Sequence, residues 1–243
     1  MKITIFQGHK HDLPYADVNV VIDVIRAFTV SHYAFLRGVK EILLVRSVPE
    51  AIQLKKKHPD YLLAGEVKGL PIPEFDLDNS PTRMACEYAD GKTIVQKTTN
   101  GVEATLNALQ ADAIFVTGFS NAKNTAQYIR KSLNRDSVVN IIASHPRGDD
   151  DLACAEYIKS LLLEDGTVTF ADAVNRIENC DAAQKFYNES QPEFDSEDIS
   201  FCKKEMDSRF VMAVDCLKGL PRIVRVDINE PFRIKAASET GEA

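Results

Sequence analysis

Apolar and β-branched residues along this chain come in short runs, separated by longer stretches with helical spacing. Residues 2–6 and 18–23 read as strands. The second is nearly continuous in Val and Ile, the pattern of a strand covered on both faces. Residues 26–38 read as a helix closed by Gly38, and 41–45 as a strand. A helix follows over 47–57, with Ser47 as its cap and Pro49 and Glu50 in its first turn. Further strands are predicted at 61–64, 93–96, 113–116 and 138–143, and further helices at 81–88, 101–109, 121–133 and 150–163. Strand alternating with helix over the first ~165 residues predicts an α/β fold with a mostly parallel sheet and flanking helices. Residues 167–217 read as a helical excursion, and 222–226 return as a final strand. That return predicts one domain over 1–234, with a frayed tail at 235–243.

The stretch between strand 61–64 and the helix after Pro81 stands apart. It carries Glu66, Glu74, Asp76 and Asp78 together with Asn79 and Ser80, while Leu70, Ile72, Phe75 and Leu77 supply anchors to a core. A long ordered loop rich in oxygen ligands is a place where chemistry is done. Asp76 and Asp78, one residue apart, superficially resemble the nucleophile motif of haloacid dehalogenases. That motif follows a hydrophobic strand directly, and here Pro71 and Pro73 rule out a central strand.

The other candidate sites also lie just after strands, where ligands bind in open α/β sheets, so they are expected to converge. Asp23, with Arg26 three residues on and Thr29 beyond, supplies a metal-capable carboxylate and an anion clamp, or else a helix cap paired with Arg26. Thr98, Thr99, Asn100 and Gly101 form a hydroxyl- and amide-rich strand-to-helix junction, either an anion cradle or a plain cap and turn. Gly118, Ser120 and Asn121 repeat this chemistry after the next strand. His145 and Arg147 are candidates for general acid or anion contact, or else exposed loop residues, and Asp149, Asp150 and Asp151 after them read as a metal shell or simply as charge favoured at a helix start. The acidic run 193–198, within the helical excursion, reads as a solvated face with no chemistry.

Composition narrows the classes. The 243 residues carry a formal charge of -7, which disfavours general binding to nucleic acid or anionic membranes. No run approaches a membrane span or a signal-peptide core. Five scattered cysteines without a CxxC pair read as reduced thiols of a cytoplasmic protein. Zinc-type spacing, a Gly-x-Ser-x-Gly elbow and a Walker loop are absent.

Taken together, Asp23-Val24-Ile25-Arg26-Ala27 with Thr29, Gly65-Glu66, Phe75-Asp76, Asn79-Ser80-Pro81, Thr98-Thr99-Asn100-Gly101 and Gly118…Ser120-Asn121-Ala122 resemble, in order and spacing, the 2-phosphosulfolactate phosphatases. The resemblance covers about residues 2–165 strongly. It implies a magnesium-dependent phosphatase of coenzyme M biosynthesis that releases phosphate from 2-phospho-3-sulfolactate to give 3-sulfolactate. The chain departs from the family pattern at Asp78, where Gly is usual, at Thr82-Arg83, where Glu is usual, and at Val102, where Thr is usual. On this reading Asp23 and Glu66 are the first choices for Mg²⁺, followed by Asp76 and Asp151. Asp23, Arg26, Glu66 and Asp76 form the catalytic set. Thr29, Asn79, Ser80, Thr98, Thr99, Asn100, Gly101, Ser120 and Asn121 would contact a small anionic phosphoester. The alternative is a degenerate relative that binds a phosphorylated acid without turnover. A homodimer is the default oligomer.

Overall fold

The computed structural model of the chain describes residues 1–188, 190–217 and 219–231, so the tail expected at 235–243 lies outside the described residues. The strands are β1 (Lys2–Gln7), β2 (Ala16–Ile22), β3 (Glu41–Leu44), β4 (Leu62–Val67), β5 (Leu70–Pro71), β6 (Thr93–Lys97), β7 (Ala111–Thr117), β8 (Val138–Ala143), β9 (Phe210–Asp215) and β10 (Arg222–Asp227). The helices are α1 (Ala27–Leu36), α2 (Val48–Lys57), α3 (Pro81–Cys86), α4 (Gly101–Asn107), α5 (Ala122–Ser132), α6 (Asp149–Leu163), α7 (Phe170–Asn179), α8 (Asp181–Gln184) and α9 (Glu197–Cys202).

The strands join in one sheet in the order β1-β8-β2-β7-β9-β10-β3-β6-β4-β5. Two parallel sets make it up: β1, β8, β2 and β7 on one side, and β3, β6 and β4 on the other. The antiparallel hairpin of β9 and β10 bridges them. Three successive antiparallel pairings separate the sets, so they run in opposite senses. The sheet is therefore mostly parallel with an antiparallel seam.

That seam is where the sheet bends. β2 and β6 are five strand positions apart, about 24 Å in a flat sheet at ~4.8 Å per strand. Yet a Cβ built on Gly101, just beyond β6, would lie 2.7 Å from Oδ2 of Asp23, just beyond β2. The joints allow this, since β7 meets β9, and β10 meets β3, through only two residue pairs each. Both carboxyl ends thereby reach one place.

Helix α1 fills the space between the two sets. Nine of its ten residues are buried, so it has no solvent face. Phe28, Val30 and Phe35 pack with Val21, Val116 and Ile142 of one set and with Ile42, Leu44 and Ile94 of the other. Its buried hydroxyls are bonded inside: Thr29 Oγ1 donates to the Val24 carbonyl at 2.8 Å, and Ser31 Oγ donates to the Ala27 carbonyl at 3.0 Å. The far faces carry separate cores. Val18, Val20 and Ile22 pack toward α5 and α6, and Leu43, Leu63 and Val95 pack toward Ala51 of α2.

Two expectations are corrected. Residues 65–81 are not one long loop, because β4 runs on to Val67 and turns through Lys68-Gly69 into β5. The excursion over 167–217 is not wholly helical: it ends in β9, a central strand. The five-residue apolar run at its start suits a short buried helix as well as a strand, so periodicity alone does not separate them.

Candidate active site

The carboxyl ends of β2, β4 and β6 meet in a cavity of about 480 Å³. Asp23, directly after β2, forms part of its wall and is itself 6% exposed. Its Oδ1 accepts the Ala27 N–H at 2.9 Å, and Oδ2 accepts the Ser144 hydroxyl at 3.3 Å. Gly101 makes this approach possible, since any side chain there would meet the carboxylate. Glu66, near the end of β4, is equally buried. It accepts the Thr99 backbone N–H, the Thr99 hydroxyl at 2.9 Å and the N–H of Gly69. The β4–β5 turn and the β6–α4 junction are thus tied through one carboxylate.

Beneath Asp23 lie Asp150 and Asp151, in the first turn of α6. Asp151 accepts the Val24 N–H at 2.7 Å, the Ser144 hydroxyl at 3.0 Å and the His145 N–H at 2.9 Å. Asp150 accepts the Ile25 N–H at 3.3 Å through Oδ2, and its buried Oδ1 has no partner. Burial, followed by the neighbouring carboxylates Asp150 and Glu66, pushes the Asp23 carboxyl up to about 7 against the N–H groups of Ala27 and Gly101. Burial also pushes Asp150 up to about 6 and Asp151 well above the usual carboxylate range. Carboxyls raised in this way by burial and by one another are ones whose charged form a cation would stabilise.

Cationic side chains line the same cavity. Arg26, 5% exposed, lines the cavity together with Lys68, Arg147 and Lys185. His145 also lines it, its Nδ1 accepting the Arg147 N–H at 3.1 Å, with its pKa lowered by burial and by nearby Lys185 and His9. Asn79 completes the donor set, its buried Oδ1 unpartnered.

Eight of the residues singled out from the sequence therefore line one cavity: Asp23, Arg26, Glu66, Asn79, Thr99, Asn100, His145 and Arg147. The others are placed elsewhere. Asp76 sits at the far end of its loop, ion-paired with Lys55 at 3.0 Å and accepting the Leu63 N–H at 2.7 Å, so it is not brought to the cluster. Thr98 bonds the Val102 N–H within α4, and Thr29 is turned back onto Val24. Ser120 contacts His32 at 2.8 Å and Asn121 bonds Thr117 at 2.9 Å, both fully buried beneath the site. The second junction is therefore core, not a second anion cradle. Ser80 caps α3 through the Arg83 N–H at 3.2 Å.

Lys68, Lys185 and Asp198 were not singled out from the sequence. Asp198, placed in a solvated acidic run, is fully buried and ion-paired with Arg26 at 2.8 Å. Its burial beside Ile199 and Cys202 is the only sequence-level signal, an acid flanked by apolar positions at helical spacing.

The four carboxylates expected as a metal set are not assembled. Among the described residues no group of three or more His, Cys, Asp or Glu side chains is arranged to hold a metal ion. Two buried carboxylates on one cavity, with an unpartnered amide oxygen nearby, do fit an ion that takes one or two carboxylates and keeps several waters.

Comparison with known proteins decides the family. The profile described as 2-phosphosulpholactate phosphatase matches residues 3–222. The chain belongs to the 2-phosphosulpholactate phosphatase family. A relative from Bacillus subtilis (strain 168) is 57% identical over 228 residues, spanning 94% of this chain and 100% of its own. Another from Caldicellulosiruptor saccharolyticus is 38% identical over 180 residues, 71% of this chain and 74% of its own. Both carry the name "Probable 2-phosphosulfolactate phosphatase". The departures from the family pattern at Asp78 and Arg83 answer each other, since the two side chains pair at 2.5 Å with Arg83 62% exposed, away from the cavity lining.

Proposed function

We propose that this chain hydrolyses the phosphate monoester of a small acid bearing a second anionic group, with 2-phospho-3-sulfolactate as the substrate and 3-sulfolactate and phosphate as products. The observation that carries this reading is one cavity lined both by the buried carboxylates Asp23 and Glu66 and by Arg26, Lys68, Arg147 and Lys185. Its volume, about 480 Å³, falls within the range of small-molecule sites.

Asp23 and Glu66, with Asn79 Oδ1, would hold Mg²⁺. When bound, such an ion polarises phosphoryl oxygens and acidifies a coordinated water. The residues of the chain supply the rest. Arg26 donates to the phosphoryl oxygens and offsets charge as the P–O bond breaks. Thr99 and Asn100 stand at the start of α4, where the helix favours an anion. Lys68, Arg147 and Lys185 face the sulfonate or carboxylate; among the described residues none of the three is ion-paired.

The test is phosphate release from 2-phosphosulfolactate, phosphoglycolate and p-nitrophenyl phosphate, each with and without Mg²⁺. Release that needs Mg²⁺ and favours the esters with a second anionic group is expected. Equal turnover of p-nitrophenyl phosphate would overturn the role of the cationic wall.

A further inference from the structure

Arg26 reaches the cavity from the turn before α1, and its guanidinium is gripped on every other side. Nη1 donates to Asp198 Oδ2 at 2.8 Å, and Nη2 donates to the Gly69 carbonyl at 3.1 Å. The plane lies 4.9 Å from the Phe186 ring centre and 5.7 Å from that of Phe194. A guanidinium carries five N–H donors in a fixed fork; one on each Nη is taken, and the rest are left for an anion in the cavity. Asp198 does more than neutralise charge. Its Oδ1 accepts the Ser80 hydroxyl at 2.6 Å and the Thr82 N–H at 3.2 Å, so the carboxylate is itself fixed by the start of α3.

Phe186, Phe194 and Asp198 all come from the stretch that follows α8 and runs into α9, far along the chain from Arg26. A buried ion pair seldom repays its desolvation as stability alone, and an apolar pair of like volume would hold the segment as well. What the ion pair adds is direction.

We propose that Asp198 is a positioning residue, which with the Phe186 face orients the Arg26 guanidinium so that its free N–H donors meet the phosphoryl group. The inference rests on the hydrolytic reading for its effect on turnover, but not for its effect on anion binding. The 170–202 excursion thereby completes the site that the parallel strands begin.

The experiment compares wild type, Asp198→Asn, Arg26→Ala and the double variant. Steady-state turnover of 2-phosphosulfolactate is measured alongside calorimetric titration with inorganic phosphate, and near-UV circular dichroism checks folding. Asp198→Asn is expected to weaken phosphate binding and raise KM about tenfold or more. It should add little in the Arg26→Ala background, because contacting residues couple. Added guanidinium ion should restore part of the activity of Arg26→Ala but none to the double variant, a rescue that a purely structural role would not govern. If Asp198→Asn does not fold, Asp198→Glu keeps the charge and displaces the carboxylate, and the same loss of phosphate affinity is expected. Wild-type KM and phosphate affinity in a folded Asp198 variant, or effects of Asp198→Asn and Arg26→Ala that simply multiply, would overturn the proposal. Phosphate binding that depends on Asp198 without turnover of any ester would uphold the positioning role and remove the hydrolytic reading. Turnover indifferent to Asp198 would do the reverse.

Discussion

At the scale of residues, Gly101 shows how close contact stands in for catalytic machinery. A methyl group there would lie 2.7 Å from Asp23 Oδ2 and 2.9 Å from its Cβ, and the carboxylate must move to admit it. Gly101→Ala is therefore expected to lower kcat/KM about a hundredfold, the scale of a 1 Å misplacement, while the protein still folds. Kinetics together with a thermal melt check both halves of that statement. His32 gives a second prediction, in pH. Its ring is buried in α1, bonded to Ser120 through Nδ1 with Nε2 unpartnered, and burial holds its pKa down to about 3 against an ordinary 6.5. The unfolded chain takes up this proton first, so the stability it contributes is complete above about pH 6.5 and is lost as pH falls toward 3. Urea unfolding of His32→Gln should show a shallower decline between pH 6.5 and 4 than wild type, by up to ~1.4 kcal/mol per pH unit. Parallel slopes would mean that His32 is protonated in the folded state.

At the scale of elements, the β4–β5 turn and the β6–α4 junction act as one unit. Thr99 Oγ1 donates to Glu66 at 2.9 Å and accepts the Lys68 N–H at 2.7 Å. Thr99→Ala with Asn100→Ala is expected to raise KM for the ester about tenfold, the cost of one hydrogen bond to a charged group. An unchanged KM would return the junction to a plain helix start. The sequence left this junction between an anion cradle and a plain cap, and its place on the cavity beside Glu66 is what separates it from the similar 118–121 junction, which is core. The parallel strands were legible, since Val20, Val21 and Ile22 are covered on both faces and read as unbroken apolar runs. Asp76 was misread because proximity along the chain to Asn79 and Ser80 says nothing of direction. Its carboxylate is spent on Lys55 and Leu63 across the loop. Asp198 was hard to read for the opposite reason: Asp195, Ser196 and Glu197 beside it are exposed, and its partners Arg26, Ser80 and Thr82 all lie far away along the chain.

At the scale of the whole molecule, the bend at the β9–β10 seam is what makes a site. It could not be read from the sequence, because two opposed parallel sets look like any α/β alternation until the antiparallel hairpin between them is placed. Helix α1 shares its core with both sets, and Phe210, Met212 and Ile223 of the hairpin join the same cluster. We propose that the two sets form a single folding unit. Far- and near-ultraviolet circular dichroism should then report one coincident unfolding transition, whereas two separated transitions would divide the chain. Among the described residues no helix is long and apolar enough to cross a membrane.

The central claim is that the cavity at Asp23 and Glu66 performs metal-dependent hydrolysis of a phosphate ester. The most direct test is Mg²⁺-dependent phosphate release from 2-phosphosulfolactate by wild type and by folded Asp23→Asn, measured side by side. The account predicts release by wild type that disappears when Mg²⁺ is chelated, and a loss of about 10³-fold or more in the variant. Full activity in Asp23→Asn would contradict it.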